Sequence, residues 1–204
     1  MGERIRCFML RPTERARVAL RRIGWINEGE PECPIVGICA HVARLEIGIE
    51  TYPLDEVLPG RQRGGDDRLA TPDDMRDGRW PMKCECDYAF KADDEWRVDR
   101  TRIYASDDGL ECLLSEAPPG AMWYADWYPE TMRGPDGHTL VVSCPPSGSG
   151  NHWIVDVSRP NRVWTRLGDP PNITVHPSIM FTSEANEGAS AYHGWLRGGY
   201  LEEC

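Results

Sequence analysis

Residues 41–49 read His-Val-Ala-Arg-Leu-Glu-Ile-Gly-Ile, in which apolar side chains alternate with charged or small ones. Arg44 and Glu46 occupy even-numbered positions of this stretch, and Leu45 and Ile47 occupy odd-numbered positions. Successive side chains of a β-strand point to opposite faces, so this alternation is typical of a half-buried strand. The segment therefore predicts a strand with one face on a core.

Short strands bounded by turn signals are predicted along most of the remaining chain. The 20 glycines and 17 prolines favour turns and short strands over long helices. Only residues 15–22 suit a helix and a strand equally well. We predict a mainly β fold, a β-rich α+β arrangement of short antiparallel strands and turns with few short helices. The predicted strands are 95–104, 110–114, 139–142, 153–157, 163–166 and 172–175, with a hairpin turn at 198–199.

The chain of 204 residues has the length of one large domain or two small ones. We expect a single compact domain over residues 1–204. Residues 59–79 are rich in charge and poor in apolar side chains, which predicts a mobile loop there. Within it, Thr71 and Pro72 suit the start of one short helical turn. The loop is the best candidate for a seam between 1–58 and 80–204.

The charge balance disfavours binding to nucleic acid. A formal net charge of −10 repels phosphate backbones. We interpret the arginines of residues 15–22 as side chains on the solvent-exposed face of one strand or helix. No stretch of 18 apolar residues is long enough for a membrane helix, and the N-terminal residues lack the apolar core of a signal peptide. We expect a reducing cytoplasm, in which the eight cysteines are thiols or ligands.

The segment Lys-Cys-Glu-Cys-Asp-Tyr at residues 83–88 predicts a metal-binding knuckle. A tight turn aims two thiolates at one point, and backbone N–H groups stabilise their charge. Here Cys84 and Cys86 are separated by one residue, and Asp87 stands where such knuckles usually have glycine. Two other interpretations remain open: a pair of buried unliganded thiols, and a redox-active or disulfide pair.

Two cysteines do not complete a zinc site, so a second pair of ligands has to come from elsewhere. Cys33 together with Cys39 or His41 offers that pair on the other side of the charged loop, and our predicted set is Cys33, His41, Cys84 and Cys86. Cys7 and His193 are further candidates.

An aromatic segment at residues 118–127 contains Trp123, Asp126 and Trp127. A carboxylate beside indoles is partly desolvated, which raises its pKa and suits a general acid or base. Two neighbouring indoles also suit stacking on a sugar or a base. The simpler interpretation is that Trp123 and Trp127 fill a core while Asp126 caps a turn.

Whether the chain is an enzyme is left open by the sequence. It has no phosphate-binding loop, no dinucleotide-binding glycine pattern and no serine-nucleophile elbow. His193 lies between aromatic residues, as core histidines often do. An enzymatic alternative is a metal-assisted hydrolase that uses Asp126 and His193 near the knuckle metal, and it requires these two side chains to lie within a few ångströms of each other or of the metal.

Several phrases taken together resemble an uncharacterised family of small proteins of bacteriophages and prophages. The resemblance covers most of the chain. It rests on 6–13, 84–90, 118–127, 134–137, 168–175, 177–179 and 192–195, which include Pro-Pro-Gly-Ala-Met-Trp, Gly-Pro-Asp-Gly and Tyr-His-Gly-Trp.

The resemblance implies a phage origin, a single compact unit and a zinc-like knuckle. Family members often carry glycine at the position of Asp87, and aspartate at that of Tyr124, where its loss weakens a metal-hydrolase interpretation. Our leading hypothesis is a non-enzymatic accessory or virion-associated protein, located in the host cytoplasm or the virion. It would hold zinc structurally and act by contact with a virion component or a host factor.

Overall fold

The computed structural model describes residues 4–26, 32–34, 40–54, 65–146, 150–156, 165–181 and 192–204. In these residues, strands predominate and the helices are three short 3-10 segments. The strands are β1 Arg4–Arg6, β2 Phe8–Met9, β3 Arg11–Trp25, β4 Ala40–Thr51, β5 Gly65–Leu69, β6 Glu95–Ala105, β7 Glu111–Cys112, β8 Ala121–Tyr124, β9 Leu140–Ser143, β10 His152–Ile154, β11 Thr165–Leu167, β12 Thr174–His176, β13 Ile179–Phe181, β14 Tyr192–Arg197 and β15 Tyr200–Glu203. The 3-10 segments are Asp74–Arg76, Leu114–Glu116 and Glu130–Met132.

The predicted mainly β class is confirmed. The predicted strand at 41–49 is β4, and the segment that suited a helix or a strand is part of β3. The glycine pair at 198–199 connects β14 to β15 in the expected antiparallel hairpin. Among the described residues, no helix is long and apolar enough to cross a membrane.

The chain forms two compact units by its internal contacts. Unit 1 contains Met1–Thr13 and Ile103–Cys204, and unit 2 contains Glu14–Arg102. Both divisions fall inside strands, β3 and β6, and neither falls in the segment 59–79 where the sequence suggested a seam.

Unit 1 is built on three small sheets with the strand orders β1-β15-β14-β13, β10-β9-β8-β2 and β11-β12. Its central strand β9 is buried on both faces. Leu140 and Val142 pack into one apolar cluster, while Val141 packs into another. A strand covered on both sides has no solvent face, which explains the continuous apolar run of its sequence.

Unit 2 is built on a sheet with the strand order β4-β3-β6-β5, and the end of β6 that belongs to unit 1 pairs with β7. One apolar cluster joins Val18, Leu20 and Val98 to Trp80. A second cluster contains Cys33, Cys84 and Phe90, with Cys86 and Tyr88 packed against it. The three predicted cysteine ligands therefore lie at one of the two apolar clusters of this unit.

The segment 59–79 is more regular than a charged loop, as far as it is described. Residues 59–64 lie outside the described residues. Gly65–Leu69 forms the strand β5, which pairs antiparallel with β6. A helical turn is present here as the 3-10 segment Asp74–Arg76, which begins two residues after the predicted start at Pro72. The side chain of Asp74 accepts hydrogen bonds from the backbone N–H and the hydroxyl of Thr71.

Candidate metal centre

A tight hairpin over residues 82–90 carries Cys84 and Cys86. The N–H of Phe90 donates to the carbonyl of Met82 at 3.0 Å, and the N–H of Cys84 donates to the carbonyl of Tyr88 at 2.9 Å. The turn itself is closed by the N–H of Asp87, which donates to the carbonyl of Cys84 at 2.9 Å. This hairpin holds both thiols at one end of a rigid backbone loop.

Asp87 adopts the left-handed conformation that the turn requires, with φ of 68°. Glycine reaches this region without steric cost, but aspartate is one of the few other residues found there. The departure from glycine at this position therefore leaves the knuckle geometry intact.

The second pair of ligands comes from two other segments of unit 2. His41 lies in β4, directly opposite Gly24 of β3. Cys33 lies in the short described segment 32–34 and is fully buried. Cys39, the alternative to His41, lies outside the described residues.

The structure brings the four predicted ligands together. Their ligand atoms all lie within 4.8 Å of one another. The sulfurs of Cys33 and Cys84 are 3.9 Å apart, and Nδ1 of His41 is 3.1 Å from the sulfur of Cys86. In a tetrahedral zinc site with bonds of about 2.3 Å to sulfur, neighbouring sulfurs are about 3.8 Å apart. The cluster thus has the dimensions of a four-ligand metal site.

The 3.9 Å between the sulfurs of Cys33 and Cys84 excludes a disulfide between them, since an S–S bond is about 2.05 Å. All seven cysteines in the described part of the chain are free. The disulfide alternative for Cys84 and Cys86 is therefore not what the structure contains.

Surrounding side chains fix the orientation of the ligands. The ring of Tyr88 stacks on the ring of His41 with centroids 4.0 Å apart and an interplanar angle of 3°. The hydroxyl of Tyr88 donates to a carboxylate oxygen of Asp94 at 3.3 Å, and the thiol of Cys84 lies 3.4 Å from the carbonyl of Val42. Such outer contacts hold metal ligands in place and raise the affinity of a site.

The neighbouring thiols of the cluster disfavour each other's ionisation. A hydrogen bond from the Tyr88 backbone lowers the pKa of the Cys86 thiol, but burial and the neighbouring thiols of Cys84 and Cys33 act against it, and the net effect raises that pKa. Thiolates crowded this closely repel each other, and a divalent cation between them reverses that repulsion. The electrostatics of the cluster therefore suit a cation.

The donor set indicates what a bound metal can do there. Three sulfurs and one imidazole nitrogen are soft ligands that select zinc or a similar metal over magnesium or calcium. Four protein ligands complete a tetrahedron and leave no position for water or substrate. Structural zinc sites have four protein ligands in this way, whereas catalytic zinc sites have three.

The other candidate ligands lie elsewhere. Cys7 is buried in an apolar cluster of unit 1, where burial raises its thiol pKa to about 12. His193 lies in β14, and its Nε2 is 3.1 Å from the hydroxyl of Ser178. Neither belongs to the four-residue cluster found in the described residues.

The structure gives Asp126 and His193 different partners. Asp126 contacts Nδ1 of His138 at 2.7 Å and accepts a hydrogen bond from the N–H of Thr139 at 3.1 Å. His193 contacts Ser178. The pairing of Asp126 with His193 that the hydrolase alternative requires is absent from the hydrogen bonds and ion pairs of the described residues.

Stacking on a ligand by two exposed indoles is not supported, because Trp123 is 3% exposed. Trp123 packs into the second apolar cluster of unit 1, and half-buried Trp127 packs against the same cluster. The strand β8 is covered on both faces, since Met122 fills the other cluster. The simpler interpretation, in which both indoles contribute to a core, matches this packing.

Gly24 is a residue of the site that the sequence interpretation missed. A Cβ at this position would lie 2.7 Å from Cε1 of Tyr88, so only glycine lets that ring pack over β3 and reach His41. A glycine inside a strand pattern indicates a close approach of this kind. The glycine is visible in the sequence, but the sequence does not show which residue approaches it.

The comparisons with known proteins identify no relative: no family model, no curated protein and no solved structure matches this chain. The resemblance to a family of phage proteins therefore stays a prediction.

Proposed function

We propose that Cys33, His41, Cys84 and Cys86 hold one zinc ion whose role is to stabilise unit 2. The observation that carries this proposal is the convergence of four soft ligand atoms within 4.8 Å from three separate segments. Free thiols buried together gain nothing from convergence, whereas a zinc ion links the segments and contributes directly to folding.

Elemental analysis of the purified chain tests this proposal. We expect one zinc per chain, and less than about a tenth of that in the variants Cys84→Ser and Cys33→Ser, since structural sites need all four ligands. Cys204→Ser is the matched control, because Cys204 is exposed in unit 1 and outside the cluster. Absence of metal from the wild-type chain grown with zinc would contradict the proposal.

Cobalt provides a second readout of the ligand set. Replacement of zinc by Co²⁺ should give the intense thiolate absorption and visible bands of a tetrahedral site with sulfur ligands. His41→Ala should shift the visible bands, whereas Cys204→Ser should leave them unchanged. A spectrum of octahedral cobalt would show that the thiolates are not ligands.

We further propose that the chain is a non-enzymatic, β-rich accessory or virion-associated protein of a bacteriophage, which acts by contact with another protein. The phage assignment is supported by the sequence phrases at 84–90, 118–127 and 192–195. The non-enzymatic role is supported by a metal ligand set that leaves no open coordination position. Zinc bound in this way shapes a surface and performs no chemistry.

The neighbourhood of the gene and the composition of particles test this second proposal. We expect phage genes on both sides of the coding sequence, and the chain itself either in purified particles or bound to one host protein in infected cells. A position among metabolic genes of a cell, with no phage genes nearby, would overturn it.

A further inference from the structure

The strand β4 lies at the edge of the sheet in unit 2. It is the terminal strand of the order β4-β3-β6-β5, so in the described part of the chain β3 is its hydrogen-bonded neighbour in the sheet. Residues 44–46 at its centre are all exposed, and Leu45 is 39% exposed. An exposed strand edge presents unpaired N–H and carbonyl groups that can pair with another strand.

The centre of this edge is complementary to itself. In an antiparallel pair of two β4 strands centred on Leu45, each Arg44 lies opposite Glu46 of the other copy. Leu45 then lies opposite its own counterpart. Pairs of opposite charge and pairs of apolar side chains both stabilise neighbouring strands. To pair equally well, a strand of another protein would need an acidic and a basic side chain in the reverse order. A second, antiparallel copy of β4 already has that order.

Among the described residues, Arg44 and Glu46 at the centre make only long ion pairs. Arg44 lies 3.8 Å from Asp99, and Glu46 lies 3.8 Å from Arg17, beyond hydrogen-bond distance in both cases. By contrast, Arg21 of β3 donates a hydrogen bond to Asp67 of β5 at 2.7 Å. The edge pair therefore has side chains that can turn to a partner, while the interior pairs are fixed.

A β-bulge sets the length of the regular pairing. Val18 lies opposite Gly48 and Ala19 lies opposite Glu46, which leaves Ile47 as the extra residue. Bulges at strand edges limit continuous pairing and so oppose aggregation. Regular alternation of faces thus ends at Glu46, so residues 44–46 form the regular centre of the pairing and Ile47 lies in the bulge.

We propose that the chain forms a two-fold symmetric dimer through antiparallel pairing of β4 with β4 of a second copy, centred on Leu45. Two Arg44–Glu46 ion pairs fix the register, and the bulge restricts the contact to a discrete pair of chains. The interface is small compared with those of obligate dimers, so we expect association at about micromolar concentrations.

Charge reversal tests this dimer with the full-length, zinc-loaded protein. Analytical ultracentrifugation over a concentration series should give twice the mass of one chain for the wild type. Arg44→Glu and Glu46→Arg should each weaken association by about tenfold or more, because each places like charges opposite one another twice. The double variant R44E/E46R should associate as the wild type does.

A mixture of the two single variants gives the sharpest result. The R44E chain presents two acidic side chains and the E46R chain presents two basic ones, so an equimolar mixture should form a heterodimer although each variant alone stays monomeric. Formation of that heterodimer also proves that both variants fold. A wild type of single-chain mass throughout the series, or a dimer that neither reversal weakens, would overturn the proposal.

Discussion

Asp87 adopts a strained backbone conformation that the turn of the knuckle requires. Its φ of 68° places it where most side chains collide with the backbone, yet the turn must pass through this conformation to aim Cys84 and Cys86 at one point. Aspartate tolerates the conformation at a moderate cost because its side chain is short and polar. The knuckle thus depends on backbone geometry as much as on the cysteines.

Replacing Asp87 by glycine should therefore stabilise the protein. Glycine removes the steric cost of the left-handed conformation, and we expect the free energy of unfolding to rise by up to about 1 kcal/mol. Asp87→Val should lower it by about 1–2 kcal/mol, since branched side chains fit this conformation poorly. Urea unfolding of the zinc-loaded variants measures both effects. Equal stabilities for the two variants would show that the turn geometry is not under strain.

Asp74 makes stability depend on pH. The paired guanidinium of Arg68, which donates to both carboxylate oxygens, lowers the pKa of Asp74, and the bonds from Thr71 add to this effect. A carboxyl group with a lowered pKa in the folded state stabilises that state above its unfolded pKa of about 4, and the contribution disappears as the pH falls further.

Asp74→Asn should therefore cost about 1 kcal/mol near pH 7, and the difference from wild type should shrink as the pH falls below about 4. Comparing the two proteins at each pH cancels the effects of acid that they share. Asp73→Asn is the control, because the side chain of Asp73 is 84% exposed and its ion pair with Arg76 contributes little. A constant difference between pH 7 and pH 3 would contradict the assignment.

At the scale of elements, β3 and β4 position the candidate metal site because a glycine in β3 leaves room for an aromatic ring of the knuckle. Gly24 lies opposite His41, and the ring of Tyr88 occupies the space that a Cβ would need. The ring cannot retreat freely, since it stacks on His41 and bonds to Asp94. The packing of Tyr88 against β3 therefore depends on this one glycine.

Gly24→Ala should thus destabilise the protein by about 1–3 kcal/mol and weaken zinc binding by about tenfold or more. Competition with a chromophoric chelator measures the affinity, and chemical unfolding measures the stability. Gly78→Ala is the matched control in the same unit, because nothing lies within 4 Å of a Cβ built there. Similar losses in both variants would show that the contact with Tyr88 is unimportant.

Local patterns predicted the elements whose neighbours are close in sequence. The alternation at 41–49 and the glycine pair at 198–199 each encode their structure within a few residues. The strand β5 was missed because its charges are neutralised by distant residues: Asp67 pairs with Arg21 of β3 and Arg97 of β6. A charged segment looks like a loop until such partners are known.

The candidate site was predictable in its ligand types and not in its surroundings. Cysteine and histidine have a restricted chemistry, so Cys33 and His41 could be named from the sequence although about 50 residues separate them from the knuckle. The burial of Trp123 could not be read in the same way, since it depends on which sheet covers β8. Metal ligands are identified by chemistry, whereas burial is decided by tertiary packing.

At the scale of the molecule, the two units differ in the size of the apolar clusters that their described residues form. Among the described residues, the apolar clusters of unit 1 contain twelve and nine buried residues, none of them a member of the candidate metal cluster. The clusters of unit 2 contain four and three, and the smaller one includes Cys33 and Cys84. A small core gains more from a bound metal than a large one does.

Removal of zinc should therefore affect one unit selectively. After chelation, we expect faster hydrogen exchange of backbone amides in residues 14–26, 40–54 and 82–98, while β8, β9 and β14 keep their protection. The reason is that the ligands link three segments of unit 2, which lose this connection together when the thiolates are left without a cation. Mass spectrometry of peptides from the exchanged chain resolves the two units, and added zinc should restore the slow exchange. Loss of protection throughout both units would mean that they unfold as one body, and unchanged exchange would mean that the metal plays no structural part.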